Sequence, residues 1–460
     1  MVGTNKIKDY LSSLSPDARR MLVRGIEDAR SRGENDPSHD LILSIARESF
    51  AGSRSEVTRI NTAKRLFFTP VETHLITETL PHKQRGRIHR SSLDHIWKWI
   101  ERDLAQERIG PAIAAIEQAA AIGDEQEIET ATRVLRARFL AVAREYMAAL
   151  LATPDGHRRL AGHLGGQRVL DDLGDLVDLL ESERALTAFT KALPERLTLE
   201  RRDIEKALQA FAMFVRVEPA KTIFALIVIL ERFDPRQDFL RFIVEAVGSD
   251  DLAAVAKSDY AQGIDLALTE IARLIERFTG LQRTSENREA LQDSIRQYHR
   301  WVRTLEVAFE VQPTSEWGKH LAETRSTMSN RVATIVEPTP QIVRRALRTT
   351  RVNGVLPKPD EATIEEALVH IALLDAAIAG RDSLALNRML PDVRKNLEQV
   401  VDTMVNGLIG ELKTCGEADR ATLAEYASFG VTIASAVFGE DYAALIHRAR
   451  QNALSQSAAR

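Results

Sequence analysis

Two stretches near the middle of the chain decide its fold class: IDLALTEIARLIERF at 264–278 and LQDSIRQYHRWVRTLEVAF at 291–309. Large apolar residues recur in both at alternating steps of four and three, the heptad pattern of an α-helix with one buried seam. The seam residues are Ile264, Leu268, Ile271, Ile275 and Phe278, then Leu291, Ile295, Tyr298, Val302, Leu305 and Phe309. Because a short polar turn follows Gly280, we predict a central antiparallel helical hairpin of coiled-coil type over 260–311. The alternatives are seams that face one domain core, or an intermolecular coiled coil.

Helical patterning extends over the rest of the chain. Of its 460 residues 44% are apolar and 28% charged, with only 23 Gly and 15 Pro, a composition typical of a folded helical protein. No run has the alternation of a strand, and no segment recurs at a fixed offset. We therefore predict an all-α protein, an irregular multi-helical array with a C-terminal helical bundle.

Turn residues suggest three parts. Gly110-Pro111 predicts a break, and Val352-Asn353-Gly354 through Pro357-Lys358-Pro359 reads as a linker. The predicted domains are a basic N-terminal unit at 1–110, a central array at 111–352 and a C-terminal bundle at 353–460. In the bundle Asp360 should cap the first of four helices, at about 361–379, 383–413 with a break at Pro391, 418–437 and 440–455.

The N-terminal quarter is the basic part of the chain. Residues 1–110 contain 19 Lys and Arg against 15 Asp and Glu, although the whole chain has a net charge of -4. Helix starts are predicted at Ser15-Pro16 and Asp36-Pro37, with a third helix that includes Val57 and Phe67. An anionic partner must therefore be met by a local patch and not by the molecule as a whole.

Compartment and chemistry are constrained mainly by what the sequence lacks. Cys415 is the single cysteine, and no secretion signal or span of about 20 apolar residues is evident, so we expect a cytoplasmic protein without membrane insertion.

The aspartate-rich run 171–175 resembles a magnesium-binding pattern, but apolar neighbours should leave Asp171, Asp172 and Asp175 on a solvated face. The pair His39-Asp40 is similar to the metal-binding dyad of metal-dependent phosphohydrolases, but such a site needs a further histidine upstream, and residues 1–38 contain none. We predict no metal, no cofactor and no catalytic residue.

The first candidate site is the loop His-Lys-Gln-Arg-Gly-Arg-Ile-His-Arg at 82–90. Its four cations precede a helix that Ser91 and Asp94 should cap, running to about Ile109. A helix N-terminus is electropositive, so cations beside it are unfavourable unless an anion is bound. We predict a partner-binding or anion-binding surface, with internal pairing to the chain's own carboxylates as the alternative; its residues are Lys83, Arg85, Arg87 and Arg90.

Two further features complete the candidate sites. Trp99 and Arg102 should form a half-exposed edge on the helix after the basic loop, where Trp99 could stack on a base or pack under a partner. Farther along, Arg344, Arg348 and Arg351 form a basic stripe opposite apolar residues, either a solvated helix face or a phosphate contact.

The leading functional hypothesis is a non-enzymatic scaffold or regulatory protein that acts through protein-protein contacts. Its protein partner is not identifiable from the sequence, and self-association is left open. The alternatives are a nucleic-acid-associated or anion-binding regulator that uses loop 83–90, and a helical enzyme with no readable motif.

Overall fold

The computed structural model describes residues 62–153 and 155–458, together with Ile26. Within them the ordered structure is almost entirely helical, and the only strands are two segments of two residues. The predicted all-α class is therefore confirmed. The helices predicted to start at Ser15 and Asp36, and the His39-Asp40 pair, lie outside the described residues.

The chain divides into two units. The first contains the described residues up to Gly248 together with Val255–Gly263, and the second contains Ser249–Ala254 and the described residues from Ile264 onward. The predicted boundaries at 110 and 352 remain predictions.

Helices of the first unit surround a short irregular region. A 3₁₀ helix at Thr69–His74 leads to β1 (Leu75–Ile76), which pairs in parallel with β2 (Ile88–His89), and a second 3₁₀ helix lies at Pro219–Lys221. The α-helices are α1 (Thr62–Phe68), α2 (Ser92–Arg102), α3 (Gln106–Ile122), α4 (Glu125–Leu151), α5 (Gly156–Leu164), α6 (Gln167–Glu181), α7 (Glu183–Ala192), α8 (Arg201–Val217), α9 (Thr222–Arg232) and α10 (Asp238–Val247). All residues from Thr222 to Leu230 of α9 are buried, as expected of a core helix.

The helix predicted from Ser91 to Ile109 is two helices. Helix α2 ends at Arg102, and α3 begins at Gln106 after Ala105, whose φ is 41°. The break predicted at Gly110-Pro111 is wrong, because α3 passes through both residues. Burial of neighbouring apolar residues on α3 outweighs the single hydrogen bond that Pro111 cannot donate.

Two of the three points at which the chain passes from one unit to the other lie within helices, α11 (Leu252–Val255) and α12 (Ala261–Gly280). The second unit continues with α13 (Arg288–Ala308), α14 (Glu316–Val336), α15 (Thr339–Ala346), α16 (Glu361–Ala379), α17 (Arg381–Leu384), α18 (Met389–Thr414), α19 (Glu417–Phe438) and α20 (Glu440–Ala458). Every predicted seam residue of α12 and α13 is buried. The antiparallel pairing of these helices stays a prediction, whereas α13 packs closely on α16, where Gln292 donates a 2.9 Å hydrogen bond to the Ala372 carbonyl.

Three of the four predicted C-terminal helices are present as single helices, and the helix predicted at 383–413 is divided into α17 and α18 by residues 385–388. Asp360 caps α16 by accepting a hydrogen bond from the Ala362 N–H at 3.2 Å, and α18, α19 and α20 pack against one another. The break predicted at Pro391 is wrong, because Pro391 is the third residue of α18, where an N–H has no partner within the helix.

Helix α19 is long and apolar enough to cross a membrane by length and composition alone. Its most apolar 18-residue window has a mean hydropathy of 1.3, and 39% of that window is buried within the protein. One such helix is weak evidence, since a core helix passes the same test, and the absence of membrane insertion remains a prediction.

Candidate functional site

The basic loop 82–90 lies between β1 and α2 and packs on core helix α9. Gly86 has a φ of +81°, and a Cβ added there would lie 2.8 Å from Ile227 Cδ1 and 3.1 Å from Ile223 Cγ1. Only glycine fits this conformation without strain at so close an approach. The loop is therefore held tightly against the core.

Lys83 pairs with two carboxylates of helix α6. Its Nζ lies 2.6 Å from Asp172 Oδ1 and 2.6 Å from Asp175 Oδ2, and it also donates a hydrogen bond to the Arg87 carbonyl. The Asp172 side chain is 1% exposed and that of Asp175 is 8% exposed. The Lys83 side chain is 26% exposed and pairs with two buried carboxylates, so it is a structural junction: removing Lys83 would leave both carboxylates buried without their cation.

The loop backbone adds further donors to the same carboxylates. The Gly86 N–H donates to Asp175 Oδ2 at 2.9 Å, and the His89 N–H donates to Asp172 Oδ2 at 3.1 Å. The Ser92 hydroxyl also donates to Asp172 Oδ2, at 2.6 Å. The predicted solvated face is therefore wrong for both aspartates, because the loop covers that side of α6. Burial raises the pKa of Asp175 although Lys83 opposes the shift.

Arg87 is the most deeply buried cation of the loop. Its side chain is 1% exposed, and its guanidinium donates to the Thr73 carbonyl at 3.1 Å and to Glu231 Oε1 on α9 at 2.9 Å. Beside it, burial and then the Arg87 charge lower the pKa of His74 to about 3. Arg87 therefore joins three segments of the first unit and does not face solvent.

The remaining loop cations are nearer the surface. Arg90 pairs with Glu72 at 2.8 Å, while Arg85 is 48% exposed, lies 3.6 Å from Asp178 Oδ2 and donates to the Ala220 carbonyl at 3.2 Å. Lys83, Arg87 and Arg90 thus have carboxylate partners within the chain, the internal alternative posed by the sequence. A partner-binding role for this loop remains a prediction.

The start of α2 departs from the predicted capping box. Ser91 makes no side-chain cap hydrogen bond, and its hydroxyl instead lies 2.6 Å from His89 Nδ1, while Asp94 pairs with Lys64 on α1. The predicted half-exposed edge is also wrong for Trp99, which is 1% exposed with its ring edge-on to Tyr146 at 5.6 Å. Arg102 is exposed as expected.

A small cleft lies beside the loop, lined by residues that include Leu80, His82, Lys83, His89 and Arg168. Its interior volume is about 20 Å³, enough for about one water molecule. Small-molecule sites commonly occupy about 300–1,000 Å³. A metabolite would not fit in this cleft as it stands.

The basic stripe of the second unit is more accessible. Arg344 lies in the last turn of α15 and Arg348 just beyond it, and both are exposed without an ion pair among the described residues. Arg351, also exposed, pairs with Asp419 and donates to the Gly354 carbonyl at 3.3 Å. The stripe therefore offers two unpaired guanidinium groups.

The segment after the stripe, predicted as a linker, begins with a tight turn. Asn353 and Gly354 have φ values of 51° and 83°, and two hydrogen bonds of 2.9 and 3.0 Å join Val352 and Val355. These are features of a two-residue hairpin turn that an Asn-Gly pair favours. Val352 is 61% and Val355 68% exposed, whereas Leu356 is buried. The Asn-Gly signal could have located this turn from sequence, but not the exposure of its valines.

Within the described residues, no group of three His, Cys, Asp or Glu side chains could hold a metal ion. Cys415 is half-buried, and its thiol donates to the Leu412 carbonyl at 3.3 Å. Protein-family models do not match the chain, and neither curated proteins nor solved structures show significant similarity to it.

Proposed function

We propose that this chain is a non-enzymatic scaffold or regulatory protein of the cytoplasm, which acts by binding another protein through its second unit. The proposed contact surface, named here the stripe-turn surface, consists of Arg344, Arg348 and the turn Val352–Val355. The observation that supports it is the proximity in sequence of two unpaired, exposed arginines and two exposed valines.

This composition suits protein recognition. Arginine is enriched at protein interfaces, and apolar side chains gain most when a partner removes them from water. Full burial of a valine side chain contributes about 1.5 kcal/mol or more, and an exposed ion pair about 0.2–1 kcal/mol. Such a surface supports a weak, reversible contact, as a regulatory protein needs.

The alternative use of loop 83–90 for nucleic acid or another anion would require existing contacts to open. Lys83 would leave two buried carboxylates, and Arg87 would leave Glu231. Each broken pair costs about 3–5 kcal/mol, more than one exposed phosphate contact returns. The stripe-turn surface requires no such rearrangement, so we favour it.

Site-specific photocrosslinking in native cells tests the proposal. Val355 is replaced by p-benzoylphenylalanine, and the matched control has the same group at Leu445, which is 59% exposed. We expect a defined protein adduct from position 355 that position 445 does not give. Equal adduct patterns at both positions, or adducts only to nucleic acid, would contradict the proposed function.

A further inference from the structure

Charge is distributed unevenly around the stripe-turn surface. Between residues 338 and 359 the sequence contains five basic residues and no acidic one: Arg344, Arg345, Arg348, Arg351 and Lys358. Arg345 pairs with Glu366 and Arg351 with Asp419, so those two charges are compensated. Arg344, Arg348 and Lys358 are exposed and have no ion pair among the described residues.

The positions of the two stripe arginines allow one extended chain to contact both. The helical winding continues past α15, because the Leu347 N–H bonds to the Val343 carbonyl at 3.1 Å and the Arg348 N–H to the Arg345 carbonyl at 3.4 Å. The last of these bonds spans three residues, so Arg344 and Arg348 start about one turn apart on the same winding. Alternate side chains of an extended chain project to one face about 6.6 Å apart, which places carboxylates at positions i and i+2 within reach of two long arginine side chains.

The turn contributes apolar contact through its two valines, whose backbone N–H and C=O groups are already bonded to each other. Val352 and Val355 exchange both of their mutual hydrogen bonds, which leaves their side chains as the binding features. Residues directly opposite one another in a hairpin project to the same face, with Cβ atoms about 5 Å apart. The two valines thus form one small apolar patch that a single aliphatic or aromatic side chain could cover.

A large polyanion fits this surface less well. Three unpaired cations are fewer than the roughly 6–10 phosphate contacts of many nucleic-acid-binding proteins. The carboxylates of Glu411, Glu366 and Asp419 lie close by, because Thr349 and the two paired arginines contact them. They and the net charge of -4 oppose the approach of any anion, and they oppose a nucleic acid or an anionic membrane most, because its many charges meet more of these carboxylates than the two charges of a short segment do.

From these observations we infer that the stripe-turn surface binds an extended acidic segment of another protein, with carboxylates at alternate positions and an adjacent large apolar side chain. This inference rests on the proposed function, whose partner chemistry it specifies. The carboxylates would pair with Arg344 and Arg348, and the apolar side chain would cover Val352 and Val355.

Two matched double variants of the full chain test the inference. Arg344→Glu/Arg348→Glu reverses the stripe, whereas Arg331→Glu/Lys395→Glu makes the same change of four charge units at exposed residues of the second unit that have no ion pair among the described residues. All four side chains are exposed, so we expect the melting midpoint of both variants to match that of the unchanged protein. A third variant, Val355→Ser, removes half of the apolar patch.

The binding assay begins with a displayed library of random 12-residue peptides selected on each protein. We expect the unchanged protein and the Arg331/Lys395 variant to enrich peptides with alternate Asp or Glu residues, and the Arg344/Arg348 variant to lose that enrichment at least tenfold. Val355→Ser should remove only the apolar preference. Enrichment without acidic bias, or an equal loss in both double variants, would overturn the inference.

Competing ligands are measured by fluorescence anisotropy with three defined probes: the most enriched peptide, a 20-nucleotide thymidine oligonucleotide, and vesicles containing 30% phosphatidylserine. Tighter binding of the oligonucleotide or the vesicles would overturn the choice of a protein segment. If the photocrosslink at position 355 persists in the Arg344/Arg348 variant, the proposed function stands and the acidic-segment inference fails. If no protein adduct forms at position 355 in any protein, the proposed function itself fails.

Discussion

Replacing Asp172 by Asn should destabilise the first unit strongly, because this carboxylate joins the basic loop to helix α6. The side chain is 1% exposed, pairs with Lys83 at 2.6 Å and accepts hydrogen bonds from His89 and Ser92. Breaking a buried ion pair costs about 3–5 kcal/mol. Since Lys83 keeps Asp175 and the Asn oxygen can still accept, we expect a loss near the lower limit, about 3 kcal/mol.

The matched control is Asp178→Asn on the same helix. The Asp178 side chain is 36% exposed and its oxygens lie 3.6 Å from Arg85 and 4.0 Å from Lys221, both long contacts, so its loss should cost less than about 1 kcal/mol. Hydrogen-deuterium exchange of the α6 backbone, with α16 of the second unit as an internal reference, reports stability locally. A loss of about 3 kcal/mol corresponds to roughly a hundredfold faster exchange of the slowest α6 amides.

Equal exchange in the Asp172 and Asp178 variants would refute the reasoning. It would mean that the buried contacts between the loop and α6 contribute no more than an exposed pair. The loop would then be able to open at little cost, and its cations would regain the capacity to bind a partner.

Three other predictions concern buried side chains. The pKa of His74 is about 3 in the folded protein and 6.5 in the unfolded chain, so the unfolded chain binds a proton first as the pH falls. The stabilisation is therefore complete above pH 6.5 and is lost below it. Urea denaturation should show that the free energy of unfolding falls by about 2 kcal/mol between pH 7.5 and 5.0, relative to His74→Phe. Trp99→Ala should lower the free energy of unfolding by about 3–5 kcal/mol, whereas Arg102→Ala should change it by less than about 0.5 kcal/mol. If urea denaturation gives a small change for both variants, Trp99 is not buried. Val302→Asp should unfold part of the second unit, because it places a charge in the buried seam. Val307 is 62% exposed on the same helix, so Val307→Asp should leave the melting midpoint of the protein nearly unchanged. Equal midpoints for the two variants would show that the seam is not buried.

Helical content was predictable because it depends on local periodicity. The seam positions of α12 and α13, the cap at Asp360 and the apolar run from Ile223 to Leu230 each have a signal within a few residues. Every one of these features is in the structure. The breaks were less predictable, since neighbours on α3 override the local effect of Pro111.

The candidate site was harder to predict because its contacts join distant parts of the chain. The polar side of α6 appears solvated when only its own sequence is considered, yet a loop 89 residues earlier covers Asp175. Trp99 is polar enough at its edge to suit a surface, and tertiary packing alone buries it. No local pattern distinguishes a cation that pairs internally, such as Arg87, from one that stays exposed, such as Arg344.

The contact between Arg87 and Glu231 has a consequence for synthesis of the chain. The two residues are 144 positions apart, so at about 5–20 residues per second the ribosome adds Glu231 roughly 7–29 s after Arg87. Until then the guanidinium cannot leave water without losing its hydration uncompensated. The loop must therefore remain hydrated during translation, and in a nascent chain halted before α9 it would lack both Glu231 and the helix against which Gly86 packs.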